Sequence, residues 1–214
     1  MISINRVLNR PLTKFFIKLN LHPNYITLLG GSAGILAFFI FCIGTRASFI
    51  IGAVFFEFFY ILDNCDGEVA RAKGLTSVFG SWLDTFTDTL VHVLAFAGIA
   101  IGLSRFTQNP ILLLAGLAAM IGVFLSSFVA MLQKTRNYGL AIHGMPKAPK
   151  GVIKKVGLLD KLIEALSLGD FSIVVVLFAL FNKMELLLWL GAFGANLFCV
   201  ILLIVNFKYL LKAQ

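Results

Sequence analysis

Apolar residues in this chain come in blocks of about twenty, separated by short polar breaks. A helix rising 1.5 Å per residue needs about 20 mostly apolar residues to cross a bilayer. Six blocks meet or approach that length: 25–44, 48–70, 79–103, 111–133, 167–182 and 186–207. The fifth is short, and Asn182, Lys183 and Glu185 leave only a tight turn before the sixth. Ahead of the first block, Arg6, Arg10, Lys14 and Lys18 recur every four residues. That spacing drifts about 40° per step around a helix. Ile4, Leu8, Leu12, Phe15, Phe16 and Leu19 fall between and beside them, which predicts an amphipathic helix lying on an anionic membrane surface. A basic signal-peptide n-region is the alternative, but the apolar run that follows is too long and further spans succeed it. The expected fold is all-α: a polytopic membrane bundle of six transmembrane helices preceded by an N-terminal interfacial amphipathic helix. Residues 1–23 form the juxtamembrane segment and 24–214 the membrane domain.

Composition agrees with the pattern. Of 214 residues, 59% are hydrophobic and 13% charged, with a mean hydropathy of +0.95. A soluble domain carries about 25% charge, so a soluble enzyme, a disordered tail and a disulfide scaffold are all disfavoured. Cys42, Cys65 and Cys199 lie scattered in apolar segments and read as small buried hydrophobes. The net charge is +8. Six spans put both termini and the 2–3 and 4–5 loops on one side, leaving only Arg46, Arg105 and Lys183 of the 18 basic residues on the other. Both termini are therefore expected in the cytoplasm, in an inner or plasma membrane. Topology accounts for the basic excess, and no nucleic-acid partner is needed. The one long polar excursion, 134–166, carries Pro146, Pro149 and the Lys147–Lys155 cluster, and its 152–166 stretch predicts a second surface-lying helix.

Six of the ten acidic residues fall between 57 and 88: Glu57, Asp63, Asp66, Glu68, Asp84 and Asp88. Carboxylates in or at the end of a span are costly and mark function by default. At about 100° per residue, Asp63, Asp66, Gly67, Ala70 and Arg71 share a sector of about 140°, with Glu68 outside it. Gly80, Asp84, Asp88 and His92 form one stripe on the next span. The short 73–78 connection predicts antiparallel neighbours whose stripes face each other. Four converging carboxylates cannot all ionise on the strength of Arg71 alone. Bound Mg²⁺ or Mn²⁺, hard ions suited to oxygen ligands, are the natural remainder. Two such ions would stabilise the entering and leaving oxygens of a phosphoryl displacement. Gly67, Ala70 and Gly80 leave room for close approach to the backbone.

The run from Asp63 to Asp88 resembles the signature of the CDP-alcohol phosphotransferase family, D-x2-D-G-x2-A-R-x8-G-x3-D-x3-D. All eight fixed positions match: Asp63, Asp66, Gly67, Ala70, Arg71, Gly80, Asp84 and Asp88. The resemblance implies an enzyme that displaces CMP from a CDP-alcohol with an acceptor hydroxyl, forming a phosphodiester. The donor it implies is CDP-diacylglycerol or another CDP-lipid, with a soluble CDP-polyol such as CDP-inositol as the alternative. It implies six membrane helices after a juxtamembrane helix, and commonly a homodimer among membrane lipids. Asp63, Asp66 and Asp84 then correspond to metal ligands, with Asp84 shared between two ions. Asp88 corresponds to the general base and can also touch metal. Gly67 and Arg71 match positions that bind the CDP moiety, Ala70 and Gly80 complete the motif, and Ser77 matches a polar donor contact. Pro23-Asn24-Tyr25-Ile26-Thr27 resembles the family's P-N-x-I-T segment, placing Asn24 and Thr27 at the nucleotide site. The acceptor is not legible.

Other residues carry two readings each. His92 continues the Asp84/Asp88 stripe and is either an acceptor contact or a hydrogen-bonded histidine of the bundle. Lys134 and Arg136 could bind an acceptor phosphate or merely flank a span. Asp170 could face the cavity or cap the fifth span, and His22 and His143 read as solvated loop residues. Gly30-x3-Gly34 and Gly98-x3-Gly102 allow close helix contact, within one chain or between two. A divalent-cation channel or carrier would also use an Asp cluster, but it leaves Gly67, Ala70, Arg71 and Gly80 unexplained.

Overall fold

The computed structural model describes residues 4–137 and 171–211, with side chains over 9–129, 131 and 171–204. Seven helices are described: α1 (Ile4–Lys18), α2 (Pro23–Phe41), α3 (Arg46–Ala72), α4 (Val78–Thr107), α5 (Ile111–Asn137), α6 (Phe171–Leu180) and α7 (Met184–Leu211). No strand occurs among the described residues. Five helices are long and apolar enough to cross a membrane. Helix α6, the predicted fifth span, is described over ten residues, about 15 Å of helix. The predicted surface helix at 152–166, the Lys147–Lys155 cluster, His143 and Asp170 lie outside the described residues. Each predicted span otherwise matches a helix to within a few residues.

Local chemistry explains where the helices stop. Asn20, Gln108 and Asn182 take positive φ after α1, α4 and α6, and Gly74 does so after α3; Asn and Gly tolerate that conformation best. Pro23 opens α2 at its first turn, where a missing N–H costs nothing. His22 caps it, its Nδ1 accepting from the Asn24 N–H at 3.2 Å, so this exposed histidine has a structural task. Thr45 and Ser77 cap α3 and α4 through their hydroxyls.

The packing differs from the expected pairing in one respect. α3 and α4 touch each other little; α2 lies against both. The glycines of α2 and α4 permit this. A Cβ on Gly34 would fall 2.4 Å from a Val91 methyl, and one on Gly31 would fall 2.8 Å from the Thr87 methyl. A Cβ on Gly98 would fall 2.7 Å from the Phe38 carbonyl oxygen. Gly30 meets Leu62 and Phe59 of α3. Both small-residue pairs are thus spent inside the protomer, and a homodimer would have to use other faces. α5 and α7 pack together across Gly122, where Asn196 Nδ2 donates to the Ala118 carbonyl at 2.8 Å. Phe41, Phe56, Phe59, Ile99, Leu112 and Leu188 are fully buried in the central core. Phe39, Phe106, Phe124 and Phe193 point outward, as side chains do when the surrounding solvent is lipid. The chain is an integral membrane protein.

A second, smaller core (Phe16, Ile26, Leu62, Cys65 and Val69) lies where α1 docks on α3. Thr13 Oγ1 donates to Glu68 Oε2 at 2.7 Å, which accounts for Glu68 leaving the motif's sector. Arg10, Lys14 and Lys18 stay exposed, beside exposed Phe15 and Leu19. Helix α1 therefore has three faces: one docked, one basic and one apolar. Lys73 Nζ ties the end of α3 to the α1–α2 link, donating to Asn20 Oδ1 at 2.8 Å and to the Leu21 carbonyl at 2.9 Å. Cys65 and Cys199 are buried, Cys42 is half-buried, and all three are free thiols.

Candidate active site

Where the end of α3 approaches the start of α4, one carboxylate oxygen from each of Asp63, Asp66 and Asp84 lies within 4.8 Å of the others. The two α3 residues are three apart, hence nearly one turn, and Asp84 reaches them from α4. Asp66 is only 4% exposed, whereas Asp63 and Asp84 are half-buried. An octahedral Mg²⁺ with ligands at about 2.1 Å sets opposing oxygens about 4.2 Å apart. Three acid oxygens gathered at this separation suit such an ion. Like-charge repulsion would otherwise drive them apart.

The buried member is oriented from α2. The Thr27 hydroxyl, itself buried, donates to Asp66 Oδ2. Thr27, expected at the nucleotide site, is thus bonded to a carboxylate of the acid cluster. Thr27→Val should leave that oxygen without its donor and lower Mn²⁺ affinity by about 10–100-fold, as loss of outer-shell partners does. A Mn²⁺ titration followed by electron paramagnetic resonance reads this; unchanged affinity would remove Thr27 from the site.

The small residues of the motif have visible neighbours. A Cβ on Gly67 would lie 3.3 Å from Arg71 Nη1, so the exposed guanidinium folds back over the glycine one turn earlier. A Cβ on Gly80 would meet Ser77 Oγ at 3.1 Å and Asn24 Oδ1 at 3.4 Å. Asn24, Ser77 and Gly80 are thereby assembled from two elements. Ser77 Oγ accepts the Gly80 N–H at 2.9 Å as the cap of α4, which leaves its own hydrogen to donate. Sequence reading missed this capping role, although a Ser just ahead of an apolar helical run is its usual signal. Ala70 is half-buried on the same stretch of α3.

Asp88 stands outside the cluster of three. It is half-exposed and pairs with His92, whose Nδ1 lies 3.2 Å from Asp88 Oδ1. His92 is thus the hydrogen-bonded histidine of the bundle, the second of its two readings. Lys134 and Arg136 lie on the last turns of α5, and their side chains fall outside the described residues.

Comparison with known proteins bears on the fold and the family. A phosphatidylinositol phosphate synthase of Streptomyces avermitilis is 27% identical over 165 residues, covering 76% of this chain and 62% of that protein. The chain therefore matches less than two thirds of that relative's length. An archaetidylinositol phosphate synthase of Pyrococcus horikoshii is 25% identical over 164 residues, covering 76% of this chain and 81% of its own length. The crystal structure of Mycobacterium tuberculosis phosphatidylinositol phosphate synthase with CDP-DAG bound matches at a TM-score of 0.62 and 23% identity, over 91% of each chain. A second structure of that enzyme, with manganese and citrate, matches at 0.62 and 24% over 91% of this chain and 87% of that one. At such identity the likeness speaks for the fold. The sequence model of one family covers residues 20–191, from the α1–α2 link into α7 and across all eight motif positions. This chain belongs to the CDP-alcohol phosphatidyltransferase family.

Proposed function

We propose that this protein transfers a phosphatidyl-type group from a CDP-alcohol to the hydroxyl of an acceptor alcohol and releases CMP. The observation that carries the reading is the convergence of Asp63, Asp66 and Asp84 from two helices on one point, inside a complete family motif. In this reading these three carboxylates would hold Mg²⁺ or Mn²⁺. Bound there, the metal supplies Lewis-acid neutralisation of the donor's phosphate charge. Arg71, lying over Gly67, adds a fixed positive charge for the departing CMP phosphate. Asn24, Ser77 and Gly80 form a small polar cradle for the nucleotide, with Ala70 keeping the α3 wall low. Asp88 takes the acceptor's proton as its oxygen attacks phosphorus. One P–O bond forms to the acceptor while the P–O bond to CMP breaks.

The donor we favour is CDP-diacylglycerol and the acceptor inositol phosphate. The names of the two relatives support this, since each is a synthase of a lipid-linked inositol phosphate. Lys134 and Arg136 then serve the acceptor's phosphate. Residues 24–214 form the catalytic membrane domain. Residues 1–23 form a juxtamembrane helix whose exposed Arg10, Lys14 and Lys18 face anionic lipid. Both termini and the site lie on the cytoplasmic side, as the distribution of Lys and Arg supports. The protein works as a homodimer.

Purified protein supplied with Mn²⁺ or Mg²⁺ and CDP-diacylglycerol should release CMP with inositol phosphate and far less with glycerol phosphate or serine. Chelation should abolish release, and added metal should restore it. Release with CDP-inositol and a lipid alcohol, but none with CDP-diacylglycerol, would transfer the reading to a soluble donor. If no CDP-alcohol yields CMP, the enzymatic reading fails.

A further inference from the structure

Asp88 is half-exposed, with 43% of its side chain accessible. The terminal torsion of an aspartate is broad, so a carboxylate this open would sample many orientations unless something held it. His92 does so from one turn further along α4. Its Nδ1 lies 2.8 Å from the Asp88 backbone carbonyl oxygen and 3.2 Å from Asp88 Oδ1. Both atoms accept, so a hydrogen on Nδ1 when Asp88 is ionised is shared between them, the shorter contact going to the backbone carbonyl and the longer one to Oδ1. The imidazole is itself boxed. Phe56 meets it edge-on at 5.4 Å and Phe59 at 6.2 Å, both from α3, while Phe171 of α6 lies tilted at 5.8 Å. Two helices thus box one ring of a third, and that ring lies against one carboxylate.

A general base must sit within about 2.6–3.2 Å of the proton it removes, and a misplacement of 1 Å can cost about 10²-fold. We infer that His92 is a positioning residue for the transfer reaction: its Nδ1–H fixes the Asp88 carboxylate toward the acceptor, and the Phe56–Phe59–Phe171 box fixes the imidazole. The inference rests on the reading of Asp88 as the base. It also gives α6 a task at the site, since Phe171 packs against both His92 and Phe56 and so completes the box.

Two substitutions separate this from mere packing. His92→Phe fills the box without a donor, whereas His92→Asn places an amide nitrogen close to where Nδ1 stood. His92→Phe should lower kcat for CMP release by about 10²-fold while the KM for the CDP-alcohol stays at its wild-type value. His92→Asn should recover at least about tenfold of that loss. Wild-type kcat in His92→Phe, or His92→Asn as impaired as His92→Phe, would overturn the inference. A second measurement does not depend on turnover. In detergent, the ring ¹⁵N resonances of His92 should show a protonated Nδ1 and should shift in Asp88→Ala; a ring unaffected by Asp88→Ala overturns the contact. A wild-type protein that releases no CMP would count against the enzymatic reading, with the resonance measurement still deciding the contact.

Discussion

Asp84→Asn is expected to lower CMP release by at least about 10³-fold. The change preserves size and one carbonyl oxygen but removes a charge from the point where α3 and α4 converge. Metal-borne charge stabilisation amounts to several kcal/mol, and about 4 kcal/mol corresponds to 10³ in rate. Mn²⁺ binding should fall in parallel, and saturating metal should not restore the rate. Asp88→Asn provides the contrast: a loss of about 10²–10⁴-fold from the missing base, with Mn²⁺ binding retained. Turnover of Asp84→Asn within about tenfold of wild type would remove Asp84 from its assigned role. Because the carboxylates act as a unit, Asp63→Asn combined with Asp84→Asn should cost scarcely more than Asp84→Asn alone.

The second large effect is structural. Gly102→Ala should destabilise the bundle by about 3 kcal/mol or more, the upper end of what overpacking costs. The new Cβ would fall 2.1 Å from the Phe41 carbonyl oxygen and 3.0 Å from Gly44 Cα. Both are backbone atoms, and Gly44, at φ +82, ends α2 in a conformation other residues resist. Relief requires α2 and α4 to separate, and that contact continues through Gly34 and Gly31 to Thr87, which is one turn after Asp84 and directly precedes Asp88. Thermal unfolding in detergent should show the loss, and CMP release should fall with it. Gly194→Ala is the control, because nothing lies within 4 Å of its Cβ position. Equal stability of Gly102→Ala and Gly194→Ala would contradict the close α2–α4 contact.

Much of the site was legible because its spacing is helical. Residues three and four apart on one helix share a face whatever that helix packs against. Asp63 with Asp66, Asp84 with Asp88, and Arg71 over Gly67 follow from spacing of this kind. His92 falls on the Asp88 stripe by the same rule, but its aromatic box does not: Phe171 is 79 residues further along the chain. Thr27 illustrates the limit. Its place in a P-N-x-I-T segment pointed to the nucleotide, yet its hydroxyl donates to Asp66, 39 residues away. The α3–α4 pairing expected from a short connection was displaced by α2. A short loop brings two helix ends together, but the small residues decide which helices lie side by side.

By itself the sequence determined that the chain is a membrane bundle, where α2, α3 and α4 begin and end to within a few residues, and which carboxylates share a face. Those properties are local: they depend on apolar run length, on caps and on a periodicity of 3.6 residues. The tertiary structure alone decided that α2 lies against both α3 and α4, that Thr27 steadies Asp66, and that α1 docks through Thr13 on Glu68. These depend on which surfaces come close enough to touch. That is set by glycines meeting backbone or methyl groups at van der Waals range, and no spacing along a single helix encodes it.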